Sequence, residues 1–209
     1  MDLSRLAEDF QKRFDEKMRA REIVLGASRR AIRSAANAIR AIHRGELEEA
    51  RRLQDESRRA LDDGESAAAG QPDRVFAGML SDAQKEYAEA ILTERIVQDA
   101  ELPGPDEVGV ELAPYLNGMA ESIGECRRTI LDLLRRGEVD PAERILAQME
   151  DMYYLLVSMD YPDGITGHLR RSTDIARGII EKTRGDLATS LQQRSLREAL
   201  ESHARNLKD

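Results

Sequence analysis

Apolar and polar positions follow a helical period along almost the whole chain. From Leu3 to about Arg44 no proline intervenes, and Val24, Ala31, Ala35, Ala38, Ile39 and Ile42 recur at helical spacing with Arg29, Arg33, Arg40 and Arg44 on the opposite side. His43-Arg44-Gly45 supplies a basic last turn and a glycine stop. A helix of about 40 residues is about 60 Å long. A chain of this size folded compactly cannot cover it, which predicts contacts with further subunits. A second helix is predicted over Glu46 to Asp63, with Leu47, Ala50, Leu53 and Leu61 near one face, then a loop over Asp62 to Asp73 containing Gly64, Gly70 and Pro72. The third is expected from about Asp73 to Ala100, with Phe76, Leu80, Ala83, Tyr87, Ala90 and Ile91 as its stripe. Glu94 falls near the middle of that stripe, where the sequence offers no reason for a carboxylate.

Pro103-Gly104-Pro105 breaks the chain, and Pro114 suits the first position of a fourth helix ending at Arg135-Arg136-Gly137. Its seam is Leu112, Leu116, Met119, Ile123, Cys126, Ile130 and Leu133; Gly118, Ser122 and Gly124 are small, so a ligand or another backbone can approach there. Asp140-Pro141 opens a fifth helix, Pro162-Asp163-Gly164 is a turn, and a sixth helix is expected to stop at Gly185-Asp186 before a last one to about Leu207. No strand pattern or repeat emerges. The expectation is an all-α, single-domain bundle of about seven helices over 1–209, frayed at about 1–8 and 205–209.

Composition narrows the class. In 209 residues, 34% are charged and 4% aromatic, with no Trp, which suits an all-helical chain. The net charge of −8 argues against a surface that binds nucleic acid everywhere, but not against a local basic stripe. One such stripe exists: from Arg19 to Arg44 there are seven arginines and one acid, Glu22, which leaves +6. Clusters of this kind bind phosphate backbones; the competing reading is a solvated face paired with Glu46, Glu48 and Glu49. No aromatic residue interleaves with the stripe, so base stacking is not expected there. The single cysteine, Cys126, lies on an apolar seam and fits a reducing compartment. Met1 to Asp9 is unlike a signal peptide, and no apolar run approaches the roughly 20 residues that span a membrane. A cytoplasmic protein without membrane contact is therefore expected.

Two acidic pairs carry the candidate chemistry. Glu86 and Glu89 are three apart within Gln84-Lys85-Glu86-Tyr87-Ala88-Glu89-Ala90, and Glu121 and Glu125 are four apart on the next helix. Each spacing places both carboxylates on one helix face. Two such faces brought together offer oxygen ligands to a hard divalent cation such as Mg²⁺, the arrangement of a metal-dependent nuclease. With 40 Asp and Glu in the chain, acidic pairs also arise by chance, and a solvated face is the ordinary alternative.

Taken in order, several segments resemble the translin family, in particular its translin-associated factor X (Trax) branch. They are Arg21-Glu22-Ile23-Val24 with Ser28-Arg29, Ile42-His43-Arg44-Gly45, Glu86-Tyr87-Ala88-Glu89-Ala90, Pro114-Tyr115-Leu116-Asn117-Gly118-Met119-Ala120-Glu121 with Gly124-Glu125, and Leu169-Arg170-Arg171 with Asp174. The resemblance implies an all-α subunit that assembles into a closed barrel, mostly an octamer, around a cavity. It implies a Mg²⁺-dependent endoribonuclease (Mn²⁺ also serving) acting on single-stranded RNA, with Glu86, Glu89, Glu121 and Glu125 as catalytic metal ligands. Arg29, Arg33, Arg40 and Arg44 are then expected to contact single-stranded RNA or DNA. The alternative within the family is a non-catalytic translin-like nucleic-acid-binding protein; outside it, a helical scaffold. One departure stands out: the family commonly carries Asp where this chain has Glu121.

Overall fold

The structure, a computed structural model, describes residues 3–69 and 74–206. Among the described residues there are eight α-helices, one 3-10 helix and no strand. The helices are α1 (Leu3–His43), α2 (Leu47–Ala69), α3 (Ser81–Val97), α4 (Pro105–Val108), α5 (Leu112–Arg135), α6 (Val139–Val157), α7 (Asp163–Thr166) and α8 (Leu169–Asn206); the 3-10 helix spans Arg74–Met79. The expected all-α class is what is found. No described helix is long and apolar enough to cross a membrane. The chain forms two compact units, one of residues up to Glu94 with Pro103–Gly118, the other of Arg95–Leu102 with the residues from Met119 onward.

In the first unit α1 and α2 form an antiparallel hairpin. Gly45 takes the left-handed conformation (φ 75°) that ends α1 at the expected place, and its N–H donates to the Ile42 carbonyl at 2.9 Å. Ala27, Ala31, Ala35 and Ala38 are fully buried and let the backbones close up. The Ser57 hydroxyl donates to the Ala31 carbonyl at 2.9 Å, and Arg30 pairs with Asp63 at 2.9 Å. The segment of α1 before Ala20 is almost entirely exposed, including Leu3, Phe10, Phe14 and Met18.

α2 does not stop near Asp63 but runs on to Ala69. Gly64 is a contact point and not a break: a Cβ there would lie 2.8 Å from Leu80 Cδ2 and 3.1 Å from Ala27 Cβ. Of the expected loop, residues 70–73 lie outside the described residues. The expected third helix divides into the 3-10 turn and α3.

α3 is buried on all sides over Tyr87 to Glu94 save Ile91. Glu94, unexplained by sequence, pairs with Arg51 of α2 at 2.9 Å, its own side chain only 9% exposed. Gln54 donates to the Ala90 carbonyl at 3.2 Å. Arg58 lies 5.9 Å from the Tyr87 ring centre, pairs with Asp62 and Glu65, and donates to the Gly109 carbonyl at 2.6 Å. Glu65 also accepts from Gln84 at 3.1 Å, so one network of charge-assisted bonds fixes α3 on α2.

In the second unit α6 packs on α8 through Ala142, Ile145, Met149 and Met152 against Ala176, Ile180 and Leu187, all buried. Cys126 is fully buried, a core residue as expected. The expected break at Gly185-Asp186 is absent, and α8 is continuous from Leu169 to Asn206. One glycine costs a helix only about 1 kcal/mol. Here Thr183 and Leu187 carry the buried stripe across it, and Asp186 is held by Arg127 at 2.7 Å. Pro162-Asp163-Gly164 leads into the single turn α7. The ends expected to fray are helical from Leu3 and up to Asn206; residues 1–2 and 207–209 lie outside the described residues.

Candidate metal centre

α3 and α5 meet at Gly118. A Cβ built on it would stand 2.6 Å from the Lys85 carbonyl oxygen and 3.0 Å from both Ala88 Cβ and the Glu89 nitrogen. Of the three small residues at which close approach was expected, Gly118 is met by a backbone. Ser122 is fully buried with its hydroxyl donating to the Met119 carbonyl at 2.8 Å, and at Gly124 the nearest atom, Ile179 Cδ1, is at an ordinary 3.8 Å.

Glu121 follows Gly118 by one turn of α5. A carboxylate oxygen from each of Glu86, Glu89 and Glu121 lies within 4.8 Å of the other two. Glu89 is buried at 8% exposure, while Glu86 and Glu121 are half-buried. Lys85 Nζ stands 3.7 Å from Glu86. Three carboxylates and no Cys or His make a hard, all-oxygen donor set, which fits Mg²⁺ or Mn²⁺ and not a softer metal. Glu125, one turn further along α5 and half-buried, is not one of the trio. Neither His43 nor His168 joins it.

The basic stripe is retained on the outer face of α1. Arg29, Arg33 and Arg40 are exposed and form no ion pair with a described residue; Arg40 donates to Asn37 Oδ1 at 2.6 Å. Arg44 instead pairs with Glu46 at 2.5 Å, and that carboxylate raises its pKa further. Arg30 is turned aside by Asp63. Between α1 and α2 a groove of about 370 Å³ is lined by Arg30, Arg33 and Arg59 with Ser34, Glu56 and Asp63. The sequence reading did not single out Arg59, because it joins Arg33 only once the hairpin forms.

No protein-family model matches the chain. An uncharacterized protein of Methanocaldococcus jannaschii is 35% identical over 181 residues, 86% of this chain and 80% of the relative. The crystal structure of AfC3PO matches with a TM-score of 0.81 at 31% identity, over 90% of this chain and 98% of that one. The complex of AfC3PO with duplex RNA matches at 0.83 and 32%, over 90% and 97%. The chain belongs to the translin/C3PO family. Apo-NeC3PO, 21% identical with a TM-score of 0.76, has the same fold. The translin-like all-α architecture implied by the sequence segments is thereby the observed one. Within this translin/C3PO fold, the acidic trio belongs to the α3–α5 helix pair, which is the pair that the two sequence motifs occupy.

Proposed function

We propose that this chain is a Trax-like, divalent-metal-dependent endoribonuclease that cleaves single-stranded RNA within a homo-oligomer, an octamer by family resemblance. The observation that carries the reading is the convergence of Glu86, Glu89 and Glu121 from two helices, one of them buried. Carboxylates brought together away from water repel and lose hydration, and a bound cation offsets both costs. When bound, Mg²⁺ supplies an activated water and charge stabilisation at the scissile phosphate. Glu89 is the fixed ligand because burial restricts it. Glu86 and Glu121 sit beside it, half-open to an incoming phosphodiester, and Glu125 is the further ligand that the acidic pair on α5 provides. Arg29, Arg33 and Arg40 hold the phosphate backbone, with Arg44 available once Glu46 releases it. Rises of roughly 6 and 10.5 Å between successive arginines suit a chain of phosphates and read no bases.

AfC3PO in complex with duplex RNA supports nucleic-acid binding by this fold. The exposed Phe10, Phe14 and Met18 of α1 support assembly with further subunits. The test is cleavage of end-labelled single-stranded RNA titrated with Mg²⁺, with EDTA as control and duplex RNA and single-stranded DNA alongside. Metal-dependent cleavage of the single-stranded RNA is expected. Binding without cleavage at any Mg²⁺ concentration selects the non-catalytic translin-like reading, and no binding rejects both.

A further inference from the structure

We infer that the groove between α1 and α2 is a ribonucleotide subsite that tells RNA from DNA: Arg33 and Arg59 hold a phosphate, and the Glu56 carboxylate accepts a hydrogen bond from the adjoining ribose 2′-hydroxyl. The inference rests on the nucleic-acid-binding reading above and names the sugar that the site selects. Both walls belong to the first unit, where Ser57 on the Ala31 carbonyl and Arg30 on Asp63 tie the two helices together. Arg30, Arg33 and Ser34 line the groove from α1, and Glu56, Arg59 and Asp63 line it from α2, at the three- and four-residue spacings of one helix face. Its volume of about 370 Å³ falls among small-ligand sites, which run from roughly 300 to 1,000 Å³. Groups left unused by the fold point to the occupant. Arg33 and Arg59 are exposed, and neither forms an ion pair with a described residue. The half-buried Ser34 hydroxyl bonds to no described residue. Glu56 gives Oε1 to Arg52 and Asp63 gives Oδ2 to Arg30, which leaves one oxygen of each carboxylate without a donor among the described residues. The Glu56 side chain is the deeper of the two, 43% exposed against 64%. Two unpaired cations suit an anion. A carboxylate beside them repels that anion unless the ligand also brings a hydrogen-bond donor. The backbone of a DNA strand has none, whereas RNA has the 2′-hydroxyl, the group by which a protein separates the two. Glu56 precedes Arg59 by three residues, about 4.5 Å along α2, a step that suits the hydroxyl and the phosphate of one nucleotide. Ser34 Oγ, which both donates and accepts, meets the same sugar from the α1 wall.

The experiment is fluorescence anisotropy of the full-length protein, in EDTA to suppress cleavage, with three labelled single strands of one base sequence: RNA, the 2′-deoxy strand and the 2′-O-methyl strand. The parent binds RNA about tenfold more tightly than the other two, since neither can donate from the 2′ position to a charged acceptor. Glu56→Ala brings the three affinities within about twofold of one another, the contact having been lost. Glu49→Ala removes the same charge from the same helix and also releases Arg52, but lies outside the groove and keeps the parent's ratio. Arg59→Ala weakens all three strands alike, by about fivefold, and lowers the salt dependence by about one phosphate contact. Ser34→Ala narrows the ratio about threefold and stands in should thermal unfolding show that Glu56→Ala does not fold. Equal affinity of the parent for the three strands overturns the sugar reading and leaves nucleic-acid binding standing. An RNA preference untouched by the Glu56 and Ser34 substitutions, or abolished as fully by Glu49→Ala, overturns the assignment to this groove. A parent that binds none of the strands overturns both readings.

Discussion

Glu89→Gln should make the metal-free protein more stable, not less. The three carboxylates present oxygens within 4.8 Å of one another. Two unit charges at that separation repel by about 0.9 kcal/mol at the dielectric of water and about 3.5 kcal/mol at an effective value of 20. Glu86 and Glu121 are half-exposed, so screening places each repulsion near the lower figure, about 1 kcal/mol. Gln keeps the shape of Glu89 and relieves two of the three repulsions, about 2 kcal/mol in all. For a protein of this size that is a rise of about 4–8 °C in Tm. Divalent cation reverses the comparison: at ten times its Kd, Mg²⁺ stabilises the parent by about 1.4 kcal/mol. The variant, missing its most buried ligand, gains much less. Thermal unfolding by circular dichroism, in EDTA and in 10 mM MgCl₂, reads both effects. A variant that melts below the parent in EDTA, or that gains as much from Mg²⁺, would refute the reasoning.

Other expectations follow from the same structure. Replacing Arg29, Arg33, Arg40 and Arg44 together by Ala should weaken RNA affinity similarly for unrelated sequences and flatten its salt dependence, read by fluorescence anisotropy at several salt concentrations; unchanged affinity would leave the stripe as a solvated face. Light scattering should find an assembly well above the 23.5 kDa subunit at micromolar concentration, and a monomer would remove the assembly claim. Burial pushes the Tyr87 and Tyr115 phenols above their usual value of 10.0. Their folded-state pKa is raised, so the stability they contribute is complete below about pH 10 and is lost as pH rises through the folded value. Chemical denaturation at pH 8 to 11 should show that loss, reduced in Tyr115→Phe, which also gives up the bond to the Pro103 carbonyl.

Elements governed by local chemistry were legible in the sequence. The stop of α1 at Gly45 and the break at Pro103-Gly104-Pro105 depend on residues within a few positions of the event. Features that depend on a distant partner were not. Gly64 reads as a breaker until Leu80 and Ala27 are seen to need the space. Gly185 reads as a boundary until Arg127 holds Asp186 and the buried stripe is followed past it. Glu94 is anomalous on an apolar stripe until Arg51 appears from a residue 43 positions away. The acidic site shows both cases. Spacing within α3 and within α5 put each pair on a face, but spacing along one helix cannot say which members of the two pairs come together. Glu121 joins Glu86 and Glu89 in the acidic trio.

The most direct test of the central claim is cleavage of labelled single-stranded RNA by the parent and by Glu86→Gln, Glu89→Gln and Glu121→Gln, in Mg²⁺ and in EDTA, with RNA affinity measured on the same samples. Activity in the parent should need the metal, and each substitution should lower it by about two orders of magnitude or more while RNA affinity holds, since the arginines lie on another helix. Glu121→Asp, which restores the family's usual residue, should remain active. Parent-like cleavage in all three Gln variants, or undiminished cleavage in EDTA, would contradict the account and leave the carboxylates as an acidic face on a nucleic-acid-binding fold.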